Sequence, residues 1–281
     1  MLVSAAAEKK TYMKNRMQRA LADMICRERA LDGSGIMARF DDRAKLLATL
    51  VYLVAMLSTP IYRPSQLILF AIFPITMSAA SDTDYLRIAR RSLIVVPLAA
   101  VIGIFNVLYD RRPAMEIGTT VITMGWIGFV SIVLRAMLSV QALSILIRNT
   151  GFRNICRAMQ RLGMPPVLAT QLLLLYRYAY VLIDEVLTMS RARDARSFGR
   201  RAYPIRIWGV MVGQLLARSA CRSRAVYAAM LARGFDGTIP QCDARPCRWR
   251  LRDTALVAAW TIISAAIRLA DAADIIQTFR L

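Results

Sequence analysis

Two short stretches in the second half of the chain carry its most pointed chemistry. Ala195-Arg196-Ser197-Phe198 and Ala232-Arg233-Gly234-Phe235 stand 37 positions apart, and each sets one guanidinium among small residues and follows it with phenylalanine. Small neighbours let such a cation approach another surface closely, and arginine forms bidentate pairs with carboxylates and phosphates. Both stretches lie in a basic block from Arg148 to Arg252 whose cations are all arginine. Only Asp184, Glu185, Asp194, Asp236 and Asp243 oppose them. The block is suited to an acidic partner. An arginine at a helix C-terminus also interacts with the last carbonyls, which accounts for the cation in each motif but not for the repeated phenylalanine.

Other chemistries are excluded or disfavoured. The chain has no histidine, so no imidazole can act as base, proton shuttle or metal ligand. Its five cysteines, Cys26, Cys156, Cys221, Cys242 and Cys247, are odd in number and read as reduced thiols. Cys242 and Cys247 lack the second cysteine pair or histidine that a zinc site needs. No Gly-x-x-x-x-Gly-Lys-[Ser/Thr] stretch is present, so ATP is not bound in the P-loop manner. No cofactor, metal site or catalytic group is expected, and the chain is not read as an enzyme.

The two motifs sit at the ends of two long expected helices. The first opens at Pro165-Pro166, where proline suits an opening turn, and runs to Phe198 before Gly199. Val167–Ile183 is apolar on nearly every side and Asp184–Arg196 is charged, as in a helix that starts in lipid and emerges into water. The second opens at Pro204 and closes at Gly234. Every fourth residue of it is small: Gly209, Gly213, Ala217, Cys221, Ala225 and Ala229. Such a ridge admits a close helix crossing, near −50° for i±4n packing. Arg206, Gln214, Arg218 and Arg222 lie along another face, which predicts two crossed amphipathic helices at the cytoplasmic surface.

The rest of the chain must anchor that pair. In 281 residues, 57% are hydrophobic, mean hydropathy is +0.44 and the net charge is +20, a combination that points to a membrane protein with a basic face. Apolar stretches at Ala44–Tyr62 (ended by Pro60), Ser65–Ala80 (with Pro74 inside it), Ser92–Tyr109, Ile117–Ile147 (interrupted by Arg135 at the cytoplasmic end of the span, which runs on into an interfacial helix) and Thr254–Ala270 predict about five transmembrane helices. The expected fold is all-α and polytopic. Residues 1–43 form a basic cytoplasmic arm, helical from Lys9 to Ala30, without the apolar core of a cleavable signal. Residues 44–148 hold four membrane helices, 149–252 the cytoplasmic or interfacial region of the two long helices, and 253–281 the last membrane helix and C-terminus. The basic arm and Arg87, Arg90 and Arg91 set the N-terminus in the cytoplasm by the positive-inside rule.

From about Asp41 to Pro240 the chain resembles the transmembrane T component of energy-coupling factor (ECF) transporters, in particular the cobalt/nickel CbiQ type. The resemblance rests on Asp42-Arg43-Ala44-Lys45-Leu46-Leu47, Leu173-Leu174-Leu175-Tyr176-Arg177-Tyr178, Asp184-Glu185, and Ala229-Met230-Leu231-Ala232-Arg233-Gly234-Phe235-Asp236-Gly237. It implies two Ala-Arg-Gly motifs ending crossed coupling helices that insert into grooves of a dimeric ATPase. Ala232, Arg233 and Gly234 match the second motif. Ala195 and Arg196 match the first, where Ser197 replaces glycine and makes left-handed backbone costlier. The implied partners are an ECF ATPase dimer, a metal-type substrate-binding S component and membrane lipid, in the inner membrane. The implied role is to pass ATP-driven motion to the S component for uptake of cobalt or nickel.

Other readings are a T component for a vitamin, or a membrane-anchored binder of nucleic acid or anionic lipid. Trp208, Trp249 and Tyr203 among the arginines would serve the latter. The repeated helix-end motifs favour the transporter without nucleic acid, because a phosphate binder has no need to duplicate them.

Overall fold

The computed structural model describes residues 36–61, 64–81, 83–109, 113–117, 120–196, 205–237 and 249–278. The expected arm helix over Lys9–Ala30 lies outside these residues, as do Cys26, Cys242 and Cys247. The chain divides into two compact units, Met1–Ile155 with Pro246–Leu281, and Cys156–Arg245.

The first unit is built on α1 (Asp42–Leu57). Asp41 is its N-cap, with its side chain accepting from the Arg43 N–H at 3.1 Å. Ala44, Ala48, Tyr52 and Met56, four residues apart, form a fully buried ridge. Tyr52 stacks on Phe73 with ring centroids 4.1 Å apart, and Phe73 meets Trp260 edge-on at 4.6 Å. Leu67, Phe70, Met77, Ile88, Leu138 and Ile145 complete this core.

Two prolines explain two irregularities. The stretch expected over Ser65–Ala80 breaks at Ala71 into α2 (Pro64–Phe70) and α3 (Ile72–Ala80). Pro74 has no N–H for the carbonyl of Phe70 four residues earlier, and that carbonyl instead accepts from Tyr52 Oη at 3.1 Å. Likewise Pro97 cannot donate to Leu93, where a 3-10 turn (Leu93–Val95) joins α4 (Tyr85–Ser92) to α5 (Val96–Tyr109). Tyr52→Phe keeps the stacking but strands the Phe70 carbonyl. It should destabilise the unit by about 1–3 kcal/mol in detergent unfolding experiments; an unchanged transition would show that the bond contributes nothing.

Where Ile117–Ile147 is expected as one span, an antiparallel ribbon, β1 (Pro113–Ile117) with β2 (Thr120–Thr123), precedes α6 (Met124–Thr150). The other regular elements among the described residues are all helical, as the all-α expectation has it. The β-branched run Thr119-Thr120-Val121-Ile122-Thr123 favours strand over helix. Gly103 allows α5 to approach α6 closely, since a Cβ there would sit 2.6 Å from the Phe129 ring.

Among the described residues, three helical segments are both long and apolar enough to cross a membrane: Tyr85–Tyr109 and Met124–Thr150, which contain the cores of two expected spans, and Pro166–Arg196, the first of the two long helices. α1 falls short because its 16 residues reach only about 24 Å, against a hydrocarbon core of about 30 Å. Thr59 Oγ1 turns back to the Met56 carbonyl at 2.7 Å, and Pro60 follows. α6 runs on past Arg135 to Thr150, as expected of a span that continues into an interfacial helix, and Arg135 stands within it. It donates to the carbonyls of Leu57 and Thr59 at 3.4 and 2.9 Å. From α10 (Leu251–Thr278), Arg268 donates to the Ser58 carbonyl at 2.6 Å and also meets Ser58 Oγ. Two cations thus satisfy the carbonyl end of α1.

The N-terminal ends of α1 and α10 are tied as well. Asp253 is 2% exposed; its Oδ1 accepts from the Asp41 N–H at 2.8 Å and its Oδ2 from the Arg250 N–H at 2.9 Å. One carboxylate therefore serves two helix N-termini, and α1 and α10 run parallel from Asp253 to Arg268.

Candidate functional site

The second unit contains α8 (Pro166–Arg196) and α9 (Ile205–Leu231), preceded by α7 (Phe152–Arg161), which contributes from Cys156 onward. α7 ends at Gly163, whose φ of +110° permits the Gly163 N–H to reach the Gln160 carbonyl and the Met164 N–H the Met159 carbonyl. Pro165 and Pro166 then open α8, with the Leu168 N–H on the Pro165 carbonyl at 3.0 Å. Apolar side chains line the first half of α8, where Val167, Leu168 and Leu175 are exposed. Arg191, Arg193 and Arg196 occupy its end.

The same capping geometry closes α9. The Gly234 N–H donates to the Leu231 carbonyl at 3.0 Å, the Phe235 N–H to the Met230 carbonyl at 3.1 Å, and Gly234 has φ +78°. A glycine follows Arg233 because this left-handed residue would cost an L side chain roughly 1–2 kcal/mol. Phe235 is the residue whose N–H closes the cap, so the helix-end motif is also a helix-stop signal. Ser197, at the corresponding place after Arg196, lies outside the described residues.

The two helices run in opposite directions. Thr170 Oγ1, near the start of α8, is 3.5 Å from the Gly237 carbonyl beyond the end of α9. Further along, Glu185 Oε1 accepts from Arg218 at 3.2 Å and its Oε2 lies 3.7 Å from Arg222. Arg218 and Arg222 are one helical turn apart, so one carboxylate on α8 is gripped by two successive turns of α9. Arg196 lies eleven residues beyond Glu185 and Arg233 eleven residues beyond Arg222, about 16 Å at the helical rise. The two arginines occupy opposite ends of the pair, on either side of its ion-pair clamp. Ala195, Arg196, Ala232, Arg233 and Gly234 are all exposed.

The small ridge is exposed as well. Gly209, Gly213, Ala217, Cys221, Ala225 and Ala229 are open along its length, and a Cβ at Gly209 or Gly213 would meet nothing within 4 Å. The polar contact between α8 and α9 is made by the neighbouring face that carries Arg218 and Arg222. Sequence reasoning missed Glu185 as the joint. The available signal was an acidic residue facing an arginine pair spaced i, i+4.

The sequence model of the family described as "CbiQ: Cobalt transport protein" matches residues 33–242. The chain belongs to the CbiQ family. An uncharacterised protein of Methanocaldococcus jannaschii is 24% identical over 250 residues, covering 85% of this chain and 84% of its own. The nickel permease LarQ of Lactiplantibacillus plantarum is 30% identical over 102 residues, 36% of this chain and 37% of LarQ. The family match takes in both arginine motifs, the Glu185 clamp and the whole small ridge. With Tyr85–Tyr109 and Met124–Thr150 long and apolar enough to cross a bilayer, this CbiQ chain is a membrane component of a transport system.

Proposed function

We propose that this chain is the energy-coupling T subunit of an ECF-type importer for cobalt or nickel, set in the inner membrane with its N-terminus in the cytoplasm. The observation that carries the reading is the placement of Arg196 and Arg233 at opposite exposed ends of two helices joined at Glu185. Two projecting cations at the ends of the pair fit a partner that presents two equivalent acidic grooves, as a dimeric ATPase does. When the grooves move relative to each other, the helices are driven about their joint. Packed elements transmit such shifts in discrete steps, and the first unit would carry the step to a separate S component that holds the metal. The metal identity rests on the family description and on the naming of LarQ as a nickel permease.

Co-expression with the ATPase and S component encoded beside it tests the reading. The purified chain should retain an ATPase pair. Purification without ATPase but with an excess of 260 nm absorbance would identify a nucleic-acid binder instead.

The clamp makes a separate prediction. Arg218 and Arg222 are 59% and 43% exposed, so losing the ion pairs costs at most about 1 kcal/mol. Glu185→Gln should therefore leave the helices folded and the ATPase bound, while loosening the joint and lowering metal uptake several-fold per ATP hydrolysed. Unchanged stoichiometry would remove Glu185 from the coupling path.

A further inference from the structure

The helical rod from Tyr85 to Tyr109 presents an outward face of unusual composition. Ile88 and Ser92 turn inward, 1% and 0% exposed. Gln141 of α6 anchors this inner side, accepting from Tyr85 Oη at 3.1 Å and donating to Ser92 Oγ at 3.3 Å. Opposite them, Leu86, Leu93, Ile94 and Leu98 are 65%, 55%, 77% and 66% exposed. Arg87, Arg90 and Arg91 share that outward side and are exposed too. Asp84 pairs with Arg87 at 2.5 Å; with Asp82 counted too, residues 82–91 carry three arginines against two aspartates, an excess of one positive charge.

Arg90 and Arg91 lie in the last turn of α4, where they complement its dipole, but that role does not account for the exposed apolar face beside them. Nor does topology require this placement, since the positive-inside rule asks for charge and not for a position above an apolar face. In a bilayer the uncovered leucines and isoleucines must be covered by acyl chains. The phosphates of those same lipids then lie at the level of the first two turns, where guanidinium groups can pair with them bidentately.

We infer that Arg87, Arg90 and Arg91, with Leu93, Ile94 and Leu98 below them, form a binding surface for an anionic phospholipid. The excess charge selects a net-negative headgroup over a zwitterionic one, and the apolar face holds its chains. A lipid bound there buttresses the outer side of a rod whose inner side is fixed to α6 through Gln141.

The test uses the purified full chain in detergent, with phosphatidylglycerol and phosphatidylcholine as probes and retained lipid read by native mass spectrometry. The wild type should retain phosphatidylglycerol in preference. Arg90→Gln with Arg91→Gln, which keeps the Arg87–Asp84 pair, should weaken retention by about fivefold per charge, roughly twenty-five-fold in all. Arg90→Lys with Arg91→Lys preserves charge and topology and should lose less. Equal retention of both lipids by the wild type, undiminished phosphatidylglycerol binding in the glutamine variant, or displacement of the lipid by inorganic phosphate alone would each overturn the inference.

Discussion

Reversing charge at both Arg196 and Arg233 to glutamate is expected to abolish metal uptake while the chain still inserts and folds. Both side chains are exposed and lie at or just beyond helix ends, so the substitutions disturb no buried packing. The loss would appear only in the complex. Removing one partner of a desolvated charge pair at an interface costs about 2–5 kcal/mol, and reversal adds repulsion from the acidic groove. Each single variant should therefore lower ATPase affinity by at least about thirtyfold, and the double variant should release the ATPase altogether. Pull-down of the ATPase and uptake of labelled cobalt or nickel into vesicles measure both. Retention of the ATPase and full uptake by the double variant would mean that these arginines do not couple.

The second large effect is structural. Asp253→Ala removes the carboxylate that accepts from the N–H groups of both Asp41 and Arg250. Hydrogen bonds to a charged group contribute about 1.5–3 kcal/mol each, and the Asp41 N–H would be left buried without an acceptor. A loss of about 3 kcal/mol or more is expected in detergent unfolding. Asp253→Asn, which keeps one acceptor oxygen, should recover part of it. The Arg268 contacts to Ser58 hold the other end of α1, so the variant should loosen the N-terminal end of the α1–α10 pair first. Hydrogen exchange should then rise at α1 residues near Asp42 before those near Leu57. Equal exchange along α1, or an unshifted transition, would contradict the tie.

The ends of α8 and α9 were legible in the sequence because proline and glycine punctuate them: Pro165-Pro166 opens α8, and Gly234 closes α9 with the positive φ that its type suggests. The break within the second apolar stretch was legible in part. Pro74 signalled it, but the interruption falls at Ala71, where the carbonyl that Pro74 cannot serve has found Tyr52. The end of α1 was signalled by Pro60, three residues beyond Leu57. What satisfies its carbonyls was not legible: Arg135 and Arg268 lie 78 and 210 positions away, and no local pattern carries that information. The Asp41–Asp253 tie spans 212 positions and was equally hidden. Arg135 illustrates the same limit: in sequence it reads as the boundary of a span, and in the fold it ends a different helix. At the candidate site, the arginine motifs stood out by repetition. The small ridge suggested a crossing within the chain, whereas Gly209 and Gly213 face open space. Packing ridges announce that a backbone can come close, not whose backbone it is.

The most direct measurement of the coupling claim is the accessibility of positions 196 and 233 from the two sides of the membrane. In a cysteine-free background, Arg196→Cys and Arg233→Cys would be probed separately with a membrane-impermeant maleimide in sealed vesicles of either orientation. Both thiols should react only in inside-out vesicles stripped of ATPase, and adding back the ATPase should protect both. Labelling of either position in right-side-out vesicles, or labelling that the ATPase leaves unchanged, would contradict the account.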